Sequence, residues 1–363
     1  MLYLNAAGLS PFHPDVQQTI ADTLESFSHV LYSETGIDRY RSILQRSRET
    51  LANWLELDTA DRLAFVPNTT TACRLTLSRI TWKPGDTLLT TTHENSTILQ
   101  ELQTLKNYGA HVVSLDPDSS AGLLPAFEHA LHQHSVRAIV VSHVSHLDGR
   151  IFPVEAIQQL AEAHHSLLFV DGAQATGHIP LSFRHFHPHA YFFPGHKWCS
   201  GPMGTGALIL HQDGENLLTG STLTKNHNAS LPPDGRHCEL GTQNVGLIAG
   251  LAKACSLKRQ DGLRCQALKE IRDTWQSSIR KNARLRTIDT EEAQAPGILA
   301  FVCGDDPTAA AIRATGSAHS LAWKTFTHPS FPTCLSVRLS WNPYSSLSDL
   351  QTALSLFDTS LNT

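Results

Sequence analysis

Several common signals are absent from this chain of 363 residues, and each absence narrows its class. Its seven cysteines (Cys73, Cys199, Cys238, Cys255, Cys265, Cys303, Cys334) are scattered, odd in number and form no CxxC pair. Such spacing reads as reduced thiols in a cytoplasmic protein. Charge is sparse, at 17% of residues and a net −5, so there is no cationic excess to hold nucleic acid or a polybasic membrane surface. No apolar run approaches the roughly 18 residues that span a bilayer. The N-terminal "MLYLNAAGLSPFHP" has no basic region before an apolar one, so no signal peptide is expected. Internal repeats and low-complexity segments are missing as well.

Hydrophobic residues, by contrast, make up 41% of the chain, enough for a large core plus a second, smaller one. Short apolar runs alternate with helical patterns through the middle: "DRLAFV", "GDTLLTTT", "HVVSLD", "RAIVVSHV" and "SLLFVDGA". Strands this short and this apolar are covered on both faces, which predicts an α/β unit with a mainly parallel sheet and helices on both sides. After about residue 245 the rhythm changes to a long helical stretch, then "GILAFVCG", "DPTAAAIRATG" and "CLSVRLSW". The expected division is an N-terminal arm over 1–15 joining the small domain, a large domain over 16–245 and a small α+β domain over 246–363.

Histidine is in surplus, and 12 of 21 lie between His129 and His196. In "RHFHPHA", His185, His187 and His189 would share one face of a strand, but Pro188 and the lack of nearby carboxylates favour a solvated loop. No metal is expected.

Ligands of parallel sheets sit beyond the carboxyl ends of the strands, which here are "PNTT", "HENS", "SHLDG" and "DGAQ". Asp171 ends an apolar strand, where a carboxylate needs a cationic or protonated partner unless it merely caps a helix. Asn68, Thr69 and Thr70 open a helix, either as a simple N-cap or as an anion site suited to phosphate. Lys197, in "FFPGHKWCSGPMGTGALIL", sits beside His196 where charge is scarce; a lysine that loses its proton there forms Schiff bases. A nucleophilic lysine, an anion cradle and a carboxylate for a ring nitrogen together describe pyridoxal 5′-phosphate.

The order and spacing of "NTT", "VSHVSHLDG", "VDGAQATGHIP", "GHKWCSGPMGTGAL", "ELGTQN" and "VRLSW" resemble the class V aminotransferase and cysteine desulfurase family of fold-type I pyridoxal-phosphate enzymes. The similarity runs from "YLNAAGLSP" to "NPYSSLSDL". It implies that Lys197 is the Schiff-base lysine, that Asp171 partners the pyridinium and that Gln174 donates to the phenolic oxygen. Thr69, Thr70 and His196 fall on phosphate positions, and Thr242 on the threonine that reaches a partner's phosphate in a homodimer. Arg338 matches the arginine that clasps the substrate carboxylate, with Ala7 and His146 also on the substrate side.

Four positions depart from the family pattern. The ring-stacking histidine is replaced in register by Asn95, and only a two-residue slip would bring His93 there. The usual asparagine of "VSHVSN" is His146, still able to hydrogen-bond the phenolic oxygen or the substrate carboxylate. A phosphate hydroxyl is lost at Pro194. Finally, no cysteine lies between Gly304 and Thr333, where cysteine desulfurases carry their persulfide-forming thiol, while Cys303 and Cys334 read as buried.

The resemblance therefore points to a lyase of the cysteine/cystine C–S type, giving pyruvate, ammonia and a thiol or persulfide. An aminotransferase or epimerase would use the same residues. A desulfurase-like protein without its cysteine, or a non-catalytic member of the family, is the remaining alternative.

Overall fold

The computed structural model describes residues 2–30, 33–211, 235–258, 264–288, 290, 292–341 and 344–362. Two units divide the chain: 1–11, 144–152 and 261–363 form the smaller, and 12–143 with 153–260 the larger. The first strand, β1 (Leu2–Tyr3), belongs to the smaller unit.

In the larger unit, α1 (Pro14–Ser28) and α2 (Glu34–Leu55) precede an alternation of strands and helices. These are β2 (Leu63–Phe65), α3 (Thr69–Leu77), β3 (Thr87–Thr91), α4 (Ser96–Gln103), β4 (His111–Leu115), α5 (Leu123–Gln133), β5 (Val136–Ser142), α6 (Val154–Ala163) and β6 (Leu167–Asp171). Then come β7 (Ala190–Pro194), β8 (Gly206–Leu210) and α7 (Val245–Lys258). The seven strands form one sheet in the order β2-β8-β7-β6-β5-β3-β4. Only β8 runs antiparallel to its neighbours, so the sheet is mainly parallel as expected.

Alternation along these strands places successive side chains on opposite faces. Leu88, Phe169 and Phe192 pack with Ala72, Cys73 and Leu77 of α3 and Ile98 and Leu102 of α4. Their neighbours Leu89, Leu168, Val170 and Phe193 are equally buried, so both faces of the central strands are covered. The exception is β4, whose residues are exposed or half-buried because it is the sheet edge.

Within the smaller unit follow α8 (Arg264–Lys281), β9 (Leu285–Thr287), β10 (Ile298–Cys303), α9 (Asp306–Ala318), β11 (Leu321–Ala322), β12 (Lys324–His328), β13 (Phe331–Ser340) and α10 (Leu347–Asn362). An antiparallel sheet in the order β12-β13-β10-β9 packs on a core that includes Trp275, Phe301, Trp341 and Phe357. The N-terminal arm adds β1 in parallel to β11, and the Leu4 carbonyl accepts from Ser340 N.

The division departs from the expected one in two places. Helix α7 lies in the larger unit, packed on α1 and α2, rather than beyond a boundary at 245/246. Gly250 explains the close fit: a Cβ there would meet Ile20 Cγ1 at 2.6 Å. The single long helix read after 245 is resolved as α7 and α8, and residues 259–263 of that reading lie outside the described residues. The second departure is the segment Val144–Phe152, expected as a strand-end loop of the large domain. It belongs to the smaller unit because Ile151 N donates to Ala293 O and Ala295 N to Gly149 O. Among the described residues no helix is long and apolar enough to cross a membrane.

Candidate active site

In the larger unit the carboxyl ends of neighbouring strands collect the polar residues singled out above. Asp171 closes β6, is 3% exposed, and accepts from Ala173 N through Oδ1 at 2.8 Å. Burial raises its pKa, while the charge of Lys197 and the Ala173 N–H oppose the rise. Lys197 is half-buried in the turn after β7, and its charge acts on Asp171. His196 beside it is held below its ordinary pKa, first by burial and then by the Lys197 charge. Its Nδ1 is buried and has no hydrogen-bond partner among the described residues. Gln174, 3% exposed, accepts from Trp198 Nε1 at 2.5 Å.

Two helix N-termini meet next to one another. Asn68 caps α3 by accepting from Thr71 N at 2.8 Å, and Asn95 caps α4 by accepting from Thr97 N at 3.0 Å. Their first turns are joined by Thr70 and Thr97, whose hydroxyls are 3.0 Å apart. Aligned backbone N–H groups and the two helix dipoles favour an anion there. The expectation for Asn95 changes accordingly. Its carboxamide oxygen also accepts from the Thr97 hydroxyl at 2.8 Å, so this side chain serves as a helix cap linked to Thr70. The alternative, His93, is fully buried with Nε2 3.5 Å from Asp118 Oδ2. An asparagine directly before a helix satisfies orphan amides better than almost any other residue, which accounts for its place.

Thr69 is half-buried in the first turn of α3. Thr242 is exposed, on a segment anchored by Glu239, which accepts from Arg48 and from Phe65 N. It lines a cavity of about 310 Å³ together with Thr71 and Gly206. Pro194 ends β7 opposite Gly206.

The smaller unit gathers the substrate-side candidates. Arg338 on β13 is 6% exposed; Nη1 donates to His146 O at 2.5 Å and Nη2 to Asn5 Oδ1 at 3.2 Å. Its Nε is buried without a partner among the described residues, and burial pulls its pKa down to about 10. Ala7 donates its N–H to Ser340 Oγ at 2.9 Å. His146 meets Arg338 through its carbonyl, and its ring is half-buried. Cys303 is buried and its thiol is pushed up to about 11, whereas Cys334 is half-buried, more open than expected. The triplet His185, His187 and His189 lies on a loop, where His189 Nδ1 accepts from Leu168 N.

Sequence reasoning missed Glu94. This residue is 3% exposed; Oε1 accepts from Thr91 Oγ1 at 2.8 Å and Ser142 N at 3.0 Å, and Oε2 accepts from Ser142 Oγ at 2.5 Å. Burial pushes its pKa up to about 7 against these three donors, and the charge of Asp171 adds to the rise. The available signal was an acidic residue at the strand end "TTHENS", between His93 and Asn95.

The larger unit's donor set fits pyridoxal phosphate: an unsatisfied imidazole nitrogen and paired helix N-termini for a phosphate, a buried carboxylate for a ring nitrogen, and a lysine engaged with that carboxylate. A cystine C–S lyase, C-DES, in complex with its product cysteine persulfide superposes with a TM-score of 0.85 at 20% identity, over 98% of this chain and 97% of that one. An apo cysteine desulfurase from Thermococcus onnurineus NA1 gives 0.85 at 21%, over 99% and 94%. At such identities the likeness shows the fold. Among curated proteins, a probable cysteine desulfurase of Methanothermobacter thermautotrophicus is 24% identical over 276 residues, covering 72% of this chain and 68% of that protein. A cysteine desulfurase of Klebsiella pneumoniae is 28% identical over 240 residues, covering 61% and 57%. The chain thus spans between about a third and two thirds of the length of such relatives, the lowest share being 32%. The family model described as "Aminotransferase class-V" matches residues 2–313, and the chain belongs to that family, whose members use pyridoxal 5′-phosphate.

Proposed function

We propose that this chain is a pyridoxal-phosphate-dependent lyase that cleaves the C–S bond of a cysteine- or cystine-type amino acid. The observation that carries the reading is the buried Asp171 under the charge of Lys197, beside an imidazole nitrogen that lacks a partner among the described residues. When bound, the cofactor supplies an aldehyde that condenses with amines and a protonated ring that accepts the electron pair left at Cα. Asp171 keeps the ring nitrogen protonated. Gln174 donates to the phenolic oxygen, and His196, Thr69 and Thr70 hold the phosphate. Lys197 would take the Cα proton of the bound substrate. Arg338 binds the α-carboxylate, a task suited to a planar fork that stays charged. The sulfur leaves Cβ with the bonding pair, and water takes the place of the amine. For cystine, one water is consumed and pyruvate, ammonia and cysteine persulfide are released.

Support for a lyase over a sulfur-transferring desulfurase comes from the thiols. No cysteine lies between Gly304 and Thr333, and Cys303 is a buried thiol with its proton tightly held. Relatives named cysteine desulfurase and a structural neighbour named cystine C–S lyase favour cysteine-type substrates. We also assign Thr242 to the phosphate of a second copy in a homodimer. Exposed Thr242 sits in an apolar groove with Leu24, Phe27, Ile37 and Tyr40, as an interface would require.

Incubation with cystine tests the function: pyruvate and persulfide released without any added 2-oxo acid support it. Turnover that depends on a 2-oxo acid assigns the chain to transamination, and racemised substrate without pyruvate assigns it to epimerisation. A purified protein that stays colourless with the cofactor, and forms no borohydride-stable adduct at Lys197, overturns all three.

A further inference from the structure

We propose that Trp198 is a positioning residue that fixes the amide of Gln174, so that its NH₂ group and not its oxygen is presented to the cofactor. The proposal rests on the assignment of Gln174 as donor to the phenolic oxygen.

Trp198 is fully buried, and its Nε1 lies 2.5 Å from Gln174 Oε1. An indole nitrogen only donates, so the oxygen is the one atom of the Gln174 side-chain amide that can face it. A flipped amide would set two donors against each other at that distance, leaving both buried and unsatisfied. Glutamine amides are otherwise free to present either end. Here the oxygen is committed to the indole, which turns the NH₂ group away from it.

The indole is itself held rigid. The His178 ring stacks on it with centroids 3.5 Å apart and planes 6° from parallel. His178 Nδ1 lies 2.8 Å from the Gln174 carbonyl oxygen, so the two partners of Trp198 also hold one another. Gly177 completes the arrangement at φ +82°, where a Cβ would lie 2.8 Å from Trp198 O. Only glycine lets the turn after Gln174 close onto the backbone that carries Trp198. Because Trp198 follows Lys197 directly, one indole N–H ties the loop after β6 to the lysine segment.

A donor to the phenolic oxygen stabilises its anion, and so lowers the pH at which the cofactor's visible chromophore loses its proton. An amide oxygen in the same place would raise it. The experiment follows the visible band of the holoenzyme across pH for the wild type, Trp198→Phe, Gln174→Ala and the double variant, with fold and cofactor content checked. Trp198→Phe is expected to raise the midpoint by about one pH unit, the worth of roughly one hydrogen bond. Gln174→Ala should shift it the same way, and Trp198→Phe should add nothing in that background. An unmoved midpoint in a fully loaded Trp198→Phe protein overturns the proposal, as does a shift that persists without Gln174. If Trp198→Phe does not fold, the indole N–H resonance of Trp198 decides. A slowly exchanging signal that moves upfield in Gln174→Ala supports the bond, and one that stays put refutes it. A wild-type protein that never fixes the cofactor on Lys197 overturns the functional reading first, and this proposal with it.

Discussion

Glu94 takes both the backbone N–H and the hydroxyl of Ser142 as donors, and Ser142 is the residue paired in register with Asp171. One strand residue thus stands between two buried carboxylates. Burial raises the pKa of both, and the charge of Asp171 further raises that of Glu94.

This arrangement makes the protein's stability depend on pH in a defined direction. Glu94 holds its proton up to about 7 in the folded protein but releases it near 4.5 when unfolded. The folded state binds more protons in that window, so stability falls as pH rises through it and the loss is complete above 7. In Glu94→Gln the amide oxygen can still accept from Thr91 and Ser142 N, and the NH₂ can donate to Ser142 Oγ. Urea unfolding of the apoprotein should show the variant gaining on the wild type as pH rises, by a limit of about 3 kcal/mol. Parallel pH profiles for the two proteins would contradict the assignment.

Arg338 is buried and, among the described residues, donates to a carbonyl and a carboxamide oxygen. Arg338→Lys keeps the charge and loses the fork. We expect kcat/KM for cystine to drop roughly 10- to 1,000-fold, mainly through KM, with the cofactor's spectrum unchanged. Steady-state kinetics alongside the absorption spectrum will show whether binding alone is affected.

The thiols should be dispensable. Cys303→Ala and Cys334→Ala are expected to keep cystine cleavage within about twofold, because neither group is asked to accept sulfur. Loss of turnover in either variant would restore the desulfurase reading.

Arg48 is 2% exposed along its side chain and paired with Glu239 at 2.6 Å, while Glu239 also accepts from Phe65 N at 2.8 Å. Removing the carboxylate leaves a buried cation uncompensated. Glu239→Ala should therefore cost about 3–5 kcal/mol, read as a lowered midpoint in thermal or urea unfolding. A change below about 1 kcal/mol would show that Arg48 finds other partners.

Much of the fold was readable from local pattern. The apolar runs at 87–91, 136–142 and 167–171 became central strands, and "GHKW" and "VDGAQ" emerged at their carboxyl side. Other features were not readable. Asn95 looked like a substitute for a ring-stacking residue, and the cap it forms on α4 depends on where that helix begins. The segment after β5 read as a loop of the large domain, and its hydrogen bonds run instead to residues some 140 positions away in sequence, Ala293 and Ala295 among them.

Composition and spacing by themselves determined that this is an α/β protein with a lysine, an acid and a capped helix N-terminus at its strand ends. These are local facts, since burial periodicity and capping act over a few residues. The tertiary structure alone decided that Glu94 faces Ser142 beside Asp171, and that Trp198 grips Gln174. Strands β3, β5 and β6 become neighbours only through the order of the sheet, and side-chain hydrogen bonds need atoms within about 3 Å. No reading along the chain measures that distance.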